Sequence, residues 1–481
     1  MNMLQHTFDL QSPRVAPRAV PWPSRLIGLV SPLLLLALVA QAFWRNGVGS
    51  WSVGIVYILY DTALLLFTAW AILPLRHGAA TMPAAGAERR ATMGVIVAAH
   101  NEAAVLQVTI DRLMAQDDAP DVVLLADDGS SDDSAAVLRR LYGLEPPPIG
   151  QLSPPAPLLP ALRWLRLPHG GKARALNAAI LHLETELVLT VDADTLLAPG
   201  ALAAMRAGFA AEPALAAATG VLVPICGTRL SERLFEHFQR YEYVRNFLSR
   251  YAWMHQNGLL LISGAFAGFR REAVIEVGGF DPDCMVEDYE LIHRLHRHSA
   301  LTGRGWTVRV IGGARASTDA PATPMAFLRQ RRRWFGGFLQ TQHWNRDMVG
   351  NARFGRLGTR MLPVKALDTL QPVYGLAAFA ILLYLVASQR FSIALPILMI
   401  MIAKVVVDLS FHLWSIGIYK RWTGQRDDLS WGQALLVSFA EPFSFQLLRH
   451  VGAVWGWVAF LSGGSAWGQQ KRTALVADPL R

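Results

Sequence analysis

Val191-Asp192-Ala193-Asp194-Thr195 places two carboxylates one residue apart, between the apolar run 187–191 and a helical pattern opened by Pro199-Gly200. Carboxylates at the carboxyl end of a buried strand stand where open α/β sheets bind ligands. Oxygen donors at that spacing suit Mg2+ or Mn2+ shared with substrate phosphates. The same residues also suit an ordinary strand-to-helix turn, because Asp caps helices well. Five further clusters could join such chemistry. His100-Asn101-Glu102 follows the apolar run 94–99, and Asp127-Asp128-Gly129 follows the run 121–126. His169-Gly170-Gly171-Lys172 leads into a helical pattern over 173–184, its lysine serving either a phosphate or solvent. Val286-Glu287-Asp288 opens a helix with apolar positions at Val286, Tyr289, Ile292 and Leu295. The helix dipole favours acids in any first turn, and the same field keeps a carboxylate ionised and ready to accept a proton. Gln330-Arg331-Arg332-Arg333-Trp334 lies on an amphipathic segment with Phe327, Phe335, Phe338 and Leu339. It reads either as a basic helix on an anionic membrane surface, or as a guanidinium fork for phosphate oxygens beside an indole that stacks on sugar.

The elements that must position these groups follow from the pattern. From Met93, strand-like runs at 94–99, 121–126, 162–167 and 187–191 alternate with helical segments, as in a mostly parallel, doubly wound sheet. The acids all fall at carboxyl ends of strands, so they should converge on one crevice. The proline-rich stretch 145–160 reads as a surface loop, 230–251 as helical, and 259–262 as a strand. Ser263-Gly264-Ala265-Phe266-Ala267-Gly268 would let backbone approach a ligand closely. Several familiar sites are absent. Gly170-Gly171-Lys172 is no P-loop, since Arg166 occupies the first glycine position and Ala173 replaces Ser or Thr. There is no G-x-S-x-G elbow, and no G-x-G-x-x-G follows the first strand.

With 481 residues, 52% hydrophobic and 17% charged, the chain is too long for one ordinary core and too apolar for a fully soluble protein. Its net charge of +9 comes with no nucleic-acid motif, so anionic lipid and phosphorylated substrate are the better partners. Cys226 and Cys284 form neither a metal spacing nor a disulfide framework, which fits a reducing, cytosolic face. No secretory cleavage pattern is visible. Runs 26–43 and 51–73 are each long enough for a hydrocarbon core of about 30 Å. Arg18, Arg25, Arg76, Arg89 and Arg90 flank this hairpin and place both its ends in the cytosol. Asp61 falls inside the second span and must face protein or water. Runs 369–387 and 391–418 form two more spans; Lys404 and Asp408 in the last either pair or line a polymer path. The stretch 431–461 is interrupted by Pro442 and Arg449-His450, and the sequence leaves open a single span or a bent, re-entrant one.

His100-Asn101-Glu102, Asp127-Asp128-Gly129, the Asp192/Asp194 pair, Val286-Glu287-Asp288 and Gln330-x-x-Arg333-Trp334 occur in an order and approximate spacing that resembles membrane-embedded family 2 glycosyltransferases. That group includes the cellulose, chitin, hyaluronan and poly-N-acetylglucosamine synthases, and the resemblance covers about residues 93–340. It implies a GT-A-like catalytic domain in which Asn101, Glu102, Asp127, Asp128, Lys172 and Asp192 bind the nucleotide sugar. It implies that Asp192 and Asp194 hold Mg2+ or Mn2+ at the diphosphate. Asp288 matches the catalytic base with Glu287 beside it, and Gln330, Arg333 and Trp334 match the signature that closes over diphosphate and acceptor sugar. One departure is Val286, where many members carry Thr.

The expected organisation is a cytosolic tail (1–24), a transmembrane hairpin (25–75), a linker (76–93) and a cytosolic GT-A-like catalytic domain (94–320). Amphipathic interface helices (321–362), a C-terminal transmembrane region (363–462) and a tail (463–481) follow. The expected activity is processive, inverting polymerisation of a β-linked polysaccharide from a nucleotide sugar, UDP-linked, with export across a plasma (inner) membrane. Its partners would be the donor, the growing polysaccharide, the bilayer and accessory membrane or export subunits, with no nucleic acid. The alternatives are transfer of one sugar to a polyprenyl phosphate, or a non-catalytic subunit that binds a sugar nucleotide.

Overall fold

A computed structural model of the chain describes residues 3–77, 90–424 and 430–463. Its strands are β1 (Met93–Ala99), β2 (Val122–Asp128), β3 (Leu162–Leu167), β4 (Leu187–Asp192), β5 (Thr195–Leu197), β6 (Leu215–Ile225), β7 (Phe266–Arg270) and β8 (Thr307–Asp319). They form one sheet in the order β3-β2-β1-β4-β7-β6-β8-β5. The half built from β3, β2, β1 and β4 is parallel throughout. Its strands are near-continuous apolar runs; Val95, Ile96 and Val97 are all fully buried. That is the signature of strands covered on both faces. Beyond β4 the sheet is mixed: β7 runs antiparallel to β4 and β6, whereas β6 and β8 are parallel.

Register decides where the acids meet. Across β1, Ala99 is paired with Asp127 of β2 while Ala98 is paired with Asp192 of β4. The carboxyl ends of three adjacent strands therefore finish level with one another. The helix Glu287–Thr302 brings its acidic first turn to the same edge. Its seat is polar as well as apolar. Arg294 pairs with Glu290 at 2.6 Å, both fully buried, and donates to the Gly279 carbonyl at 2.6 Å, fastening the turn that precedes the helix. Arg297 pairs with Asp347 at 2.6 Å on another side.

Two local expectations are corrected, and one element is added. The apolar stretch 259–262 is not a strand: Leu259, Leu260 and Ile262 are buried, but its backbone joins no ladder, and the strand begins only at Phe266. Apolar content there signalled burial, which does not require pairing. The short strand β5 intervenes between Asp194 and the helix Ala201–Ala211. Within residues 1–24, read as a tail, Met3–Gln11 is a helix whose Phe8 is buried. The following Arg14 reaches Asp281 at 2.9 Å and Asp283 at 3.1 Å, just before the helix that carries Asp288.

Among the described residues, four helices are long and apolar enough to cross a membrane: Trp22–Trp44, Gly47–Ala71, Leu357–Ala387 and Phe391–Thr423. They flank the sheet domain in sequence. Lys404 sits between Asp61, at 2.7 Å, and Asp408, so the two residues left open above are paired. The stretch 431–461 breaks at Pro442 into Trp431–Ala440, a tight turn Glu441–Phe443, and Phe445–Leu461. Most of the expected linker, including Arg89, and all but the first residue of the C-terminal tail lie outside the described residues.

Candidate active site

The carboxyl edge of β1, β2 and β4 opens into a cavity of about 1070 Å3 that continues between the apolar helices. At its outer end the Asp128 carboxylate accepts hydrogen bonds from the backbone N–H of Gly170, at 2.7 Å, and of Gly171, at 2.9 Å. Gly129 makes this approach feasible. It lies at φ +70°, and a Cβ there would stand 2.7 Å from the His169 backbone nitrogen. The imidazoles of His100 and His169 stack at 4.4 Å, and their Nδ1 atoms both donate to the Asp128 carbonyl, at 2.8 and 3.1 Å. Asn101, at φ 58°, ties the same loops together by accepting from Ser131 N at 2.8 Å. Asp127 is the exception among the expected residues. It is buried, accepts from Trp164 Nε1 at 3.1 Å and Ser130 N at 2.8 Å, and does not line the cavity.

Deeper in, Lys172 joins three acids. Its ammonium contacts the Asp192 carboxylate, lies 3.7 Å from Glu287, and donates to the Gly264 carbonyl at 3.4 Å. Burial alone would lower the lysine pKa; Asp192, Glu287 and Asp288 outweigh it and hold the ammonium above its ordinary value. Glu287 moves the other way for a carboxylate. Burial pushes its carboxyl up, against the pull of Lys172. Asp288 is held from two sides, by Gly264 N–H at 2.7 Å and Tyr289 N–H at 2.8 Å. Gly264 suits this closeness: a Cβ would press on Asp288 Oδ2 at 3.0 Å and Lys172 Nζ at 3.4 Å, so both would have to give way.

The helix Pro324–Trp344 supplies the facing wall, where Gln330, Arg333 and Trp334 line the cavity. Arg333 donates to the Met285 carbonyl at 3.2 Å, beside the acidic turn. Arg331 corrects the membrane-surface reading of this segment. It is buried, pairs with Glu242 at 2.6 Å, and lies between the rings of Phe327 and Trp334, at 4.4 and 4.3 Å. The cavity continues past Tyr243, Asn246, Arg250 and Trp253 of the helix Leu230–Met254 to Lys365, Asp368, Gln371, Arg449 and His450. None of these was singled out from the sequence as a site residue. They are ordinary polar residues on helical segments, and only tertiary packing brings them to one cavity.

Asn101, Glu102, Asp128, Lys172, Asp192, Asp194, Glu287, Asp288, Gln330, Arg333 and Trp334 therefore line a single space. The carboxylates of Asp192 and Asp194 open into it, and Asp192 already accommodates a positive charge in Lys172. Two carboxylates facing the cavity, all-oxygen donors, fit Mg2+ or Mn2+. A different group, His100, Asp128 and His169, has ligand atoms within 4.8 Å of one another, but two imidazoles suit softer ions better. Chemically, the arrangement offers Lys172 and Arg333 as cations near a leaving diphosphate, a fixed carboxylate for a proton, and aromatic faces for sugar rings.

Comparison with known proteins defines the class. Residues 94–278 match the family described as Glycosyl transferase family 2, and residues 187–407 match Glycosyl transferase family group 2. The chain is 23% identical over 339 residues to the poly-beta-1,6-N-acetyl-D-glucosamine synthase of Staphylococcus aureus (strain COL), covering 70% of this chain and 71% of that one. The Staphylococcus epidermidis synthase is 25% identical over 206 residues, 42% of this chain and 45% of the relative. Among solved structures, the mannosyltransferase PcManGT from Pyrobaculum calidifontis, in complex with GDP-Man and Mn2+, superposes with a TM-score of 0.52 at 20% identity. It covers 82% of this chain and 99% of its own. The fold is thus GT-A-like, with candidate membrane helices on either side of the domain. Between them the two family 2 glycosyltransferase matches span residues 94–407, and the chain is similar over 70% of its length to a β-glucosaminyl polysaccharide synthase.

Proposed function

We propose that the protein polymerises a β-linked polysaccharide processively from a UDP-linked sugar and passes the chain across the membrane. The observation that carries this reading is the continuity of one cavity, from the acids at the strand ends to Gln371 and His450 among the apolar helices. In this reading residues 94–320 are the cytosolic catalytic domain, 321–362 the interface segment, and the hairpin and C-terminal helices span a plasma (inner) membrane. Asn101, Glu102, Asp128 and Lys172 bind the nucleotide, with Asp127 supporting them from behind through Trp164. Asp192 and Asp194 would hold Mg2+ or Mn2+, which supplies charge stabilisation to the departing diphosphate when bound. The relative with known Mn2+ and GDP-Man binding shares the fold and supports a divalent cation with a nucleotide sugar.

Transfer is a single displacement. The acceptor hydroxyl oxygen bonds to the anomeric carbon as the carbon–diphosphate oxygen bond breaks, and the hydroxyl proton passes to Asp288. An α-linked donor then gives a β-linked product. Asp288 suits the role because two backbone N–H groups at the helix N-terminus fix its carboxylate in place, facing the cavity. Arg333 and Gln330 close over the diphosphate, and Trp334 presents an aromatic face to the acceptor sugar, so both reactants are held in line. Purified protein offered a panel of nucleotide sugars with Mg2+ or Mn2+ tests the reading. It predicts a long polymer from one UDP-sugar and loss of activity with chelator. A single-sugar product on added polyprenyl phosphate, with no polymer from any donor, would replace it with the lipid-linked alternative.

A further inference from the structure

Among the described residues, the charged side chains that line the inner half of the cavity each face an opposite charge, with one exception. Lys365 pairs with Asp368 at 2.8 Å. Arg331 and Arg449 both face Glu242, at 2.6 and 3.7 Å. Arg250 does not follow this pattern. Its side chain is half-buried and lines the cavity, its Nε and Nη1 donate to nothing among the described residues, and its guanidinium rests over the Phe247 ring at 4.6 Å. Burial lowers its pKa to about 10, with Tyr243 and Asp288 pulling the other way. A half-buried guanidinium with unused donors and no ion partner is costly to a folded chain, and such groups persist where a ligand completes them. Tyr243 and Trp253 line the same stretch of cavity. Fork donors framed by aromatic rings suit a sugar, with hydroxyl oxygens for the guanidinium and C–H faces for the rings.

We infer that Arg250 is an acceptor-binding residue, donating hydrogen bonds to hydroxyl oxygens of the terminal sugars of an uncharged glycan seated between Asp288 and the membrane helices. This rests on the donor-and-acceptor reading of the cavity given above. Arg250 acts on the acceptor, and the donor diphosphate is left to Arg333 and the Asp192/Asp194 end.

The test is Arg250→Met, with Arg250→Lys as the charge-retaining variant, in the full-length protein. Binding of a β-linked N-acetylglucosamine tetramer is measured by calorimetry with UDP and Mn2+ present, beside UDP affinity and thermal stability. Arg250→Met should weaken tetramer binding by about tenfold or more, change UDP affinity less than about twofold, and raise Tm, because an uncompensated half-buried charge is gone. Arg250→Lys should recover part of the binding. A structural role for Arg250 would instead lower Tm. Equal loss of UDP and tetramer affinity would assign Arg250 to the diphosphate and overturn the inference. So would a wild-type protein that does not bind the tetramer, or a variant that loses binding only to vesicles carrying polyprenyl phosphate. Tetramer binding that depends on Arg250, in a protein that forms no polymer from any donor, would uphold the inference and defeat the polymerase reading alone.

Discussion

Asp288 and Glu287 are neighbours in one helical turn with opposite surroundings. Gly264 N–H and Tyr289 N–H hold the Asp288 carboxylate, whereas Glu287 is buried and its carboxyl is pushed up. Asp288→Asn should therefore lower transfer by roughly 10²–10⁴-fold, with UDP affinity nearly unchanged in a binding titration. Glu287 makes a prediction in pH. A carboxyl whose folded-state pKa is raised adds stability below its unfolded value, and that stability is lost as pH rises through the folded one. Glu287→Gln should flatten the fall in Tm as pH climbs above the ordinary glutamate range; an unchanged profile would mean that burial does not control this group. At this scale much was legible. Metal, base and diphosphate chemistry each demand particular residue types, and Asp192, Asp194, Asp288, Arg333 and Trp334 stand in the sequence with those types and spacings. Glu242 and Arg250 were not legible, because an ion pair to a residue 89 positions away and a missing partner are both tertiary facts.

The elements owe their placement to register and to a few buried polar ties. The parallel half of the sheet was readable from continuous apolar runs, since such strands admit no polar face. The extended stretch 259–262 was misread for the same reason: burial and pairing leave one composition. The N-terminal helix shows a third case. Met3–Gln11 is too short to announce itself by periodicity, yet Phe8 lies over Arg294 at 4.8 Å and Arg14 holds the fully buried Asp281 side chain. Because Asp281 lies in the turn leading to Asp288, this helix braces the acidic turn from behind. Arg14→Ala should leave a buried carboxylate short of its partner and cost about 1–3 kcal/mol, seen as a lower Tm and a lower transfer rate. Gly264→Ala tests the opposite wall. Its Cβ would crowd Asp288 and Lys172 together, so transfer should fall sharply while Tm changes little.

For the whole molecule, the telling feature is a space shared by the sheet domain and the apolar helices. Acids at the strand ends, the aromatic wall of Pro324–Trp344, and polar residues among the apolar helices line one continuous cavity. The apolar runs were plain in the sequence because their length and composition alone mark helices able to cross a hydrocarbon core. Their assembly around that cavity was not, since helix contacts in apolar surroundings leave no strong periodic mark. The central claim is that sugar added at Asp288 leaves through these helices as a growing chain. It is tested most directly in proteoliposomes supplied with a radiolabelled UDP-sugar and Mn2+ on the side of the catalytic domain. The account predicts a high-molecular-weight product on the opposite side, protected from glycoside hydrolase added with the donor. A product of one sugar on lipid, or a polymer fully digested on the donor side, would contradict it.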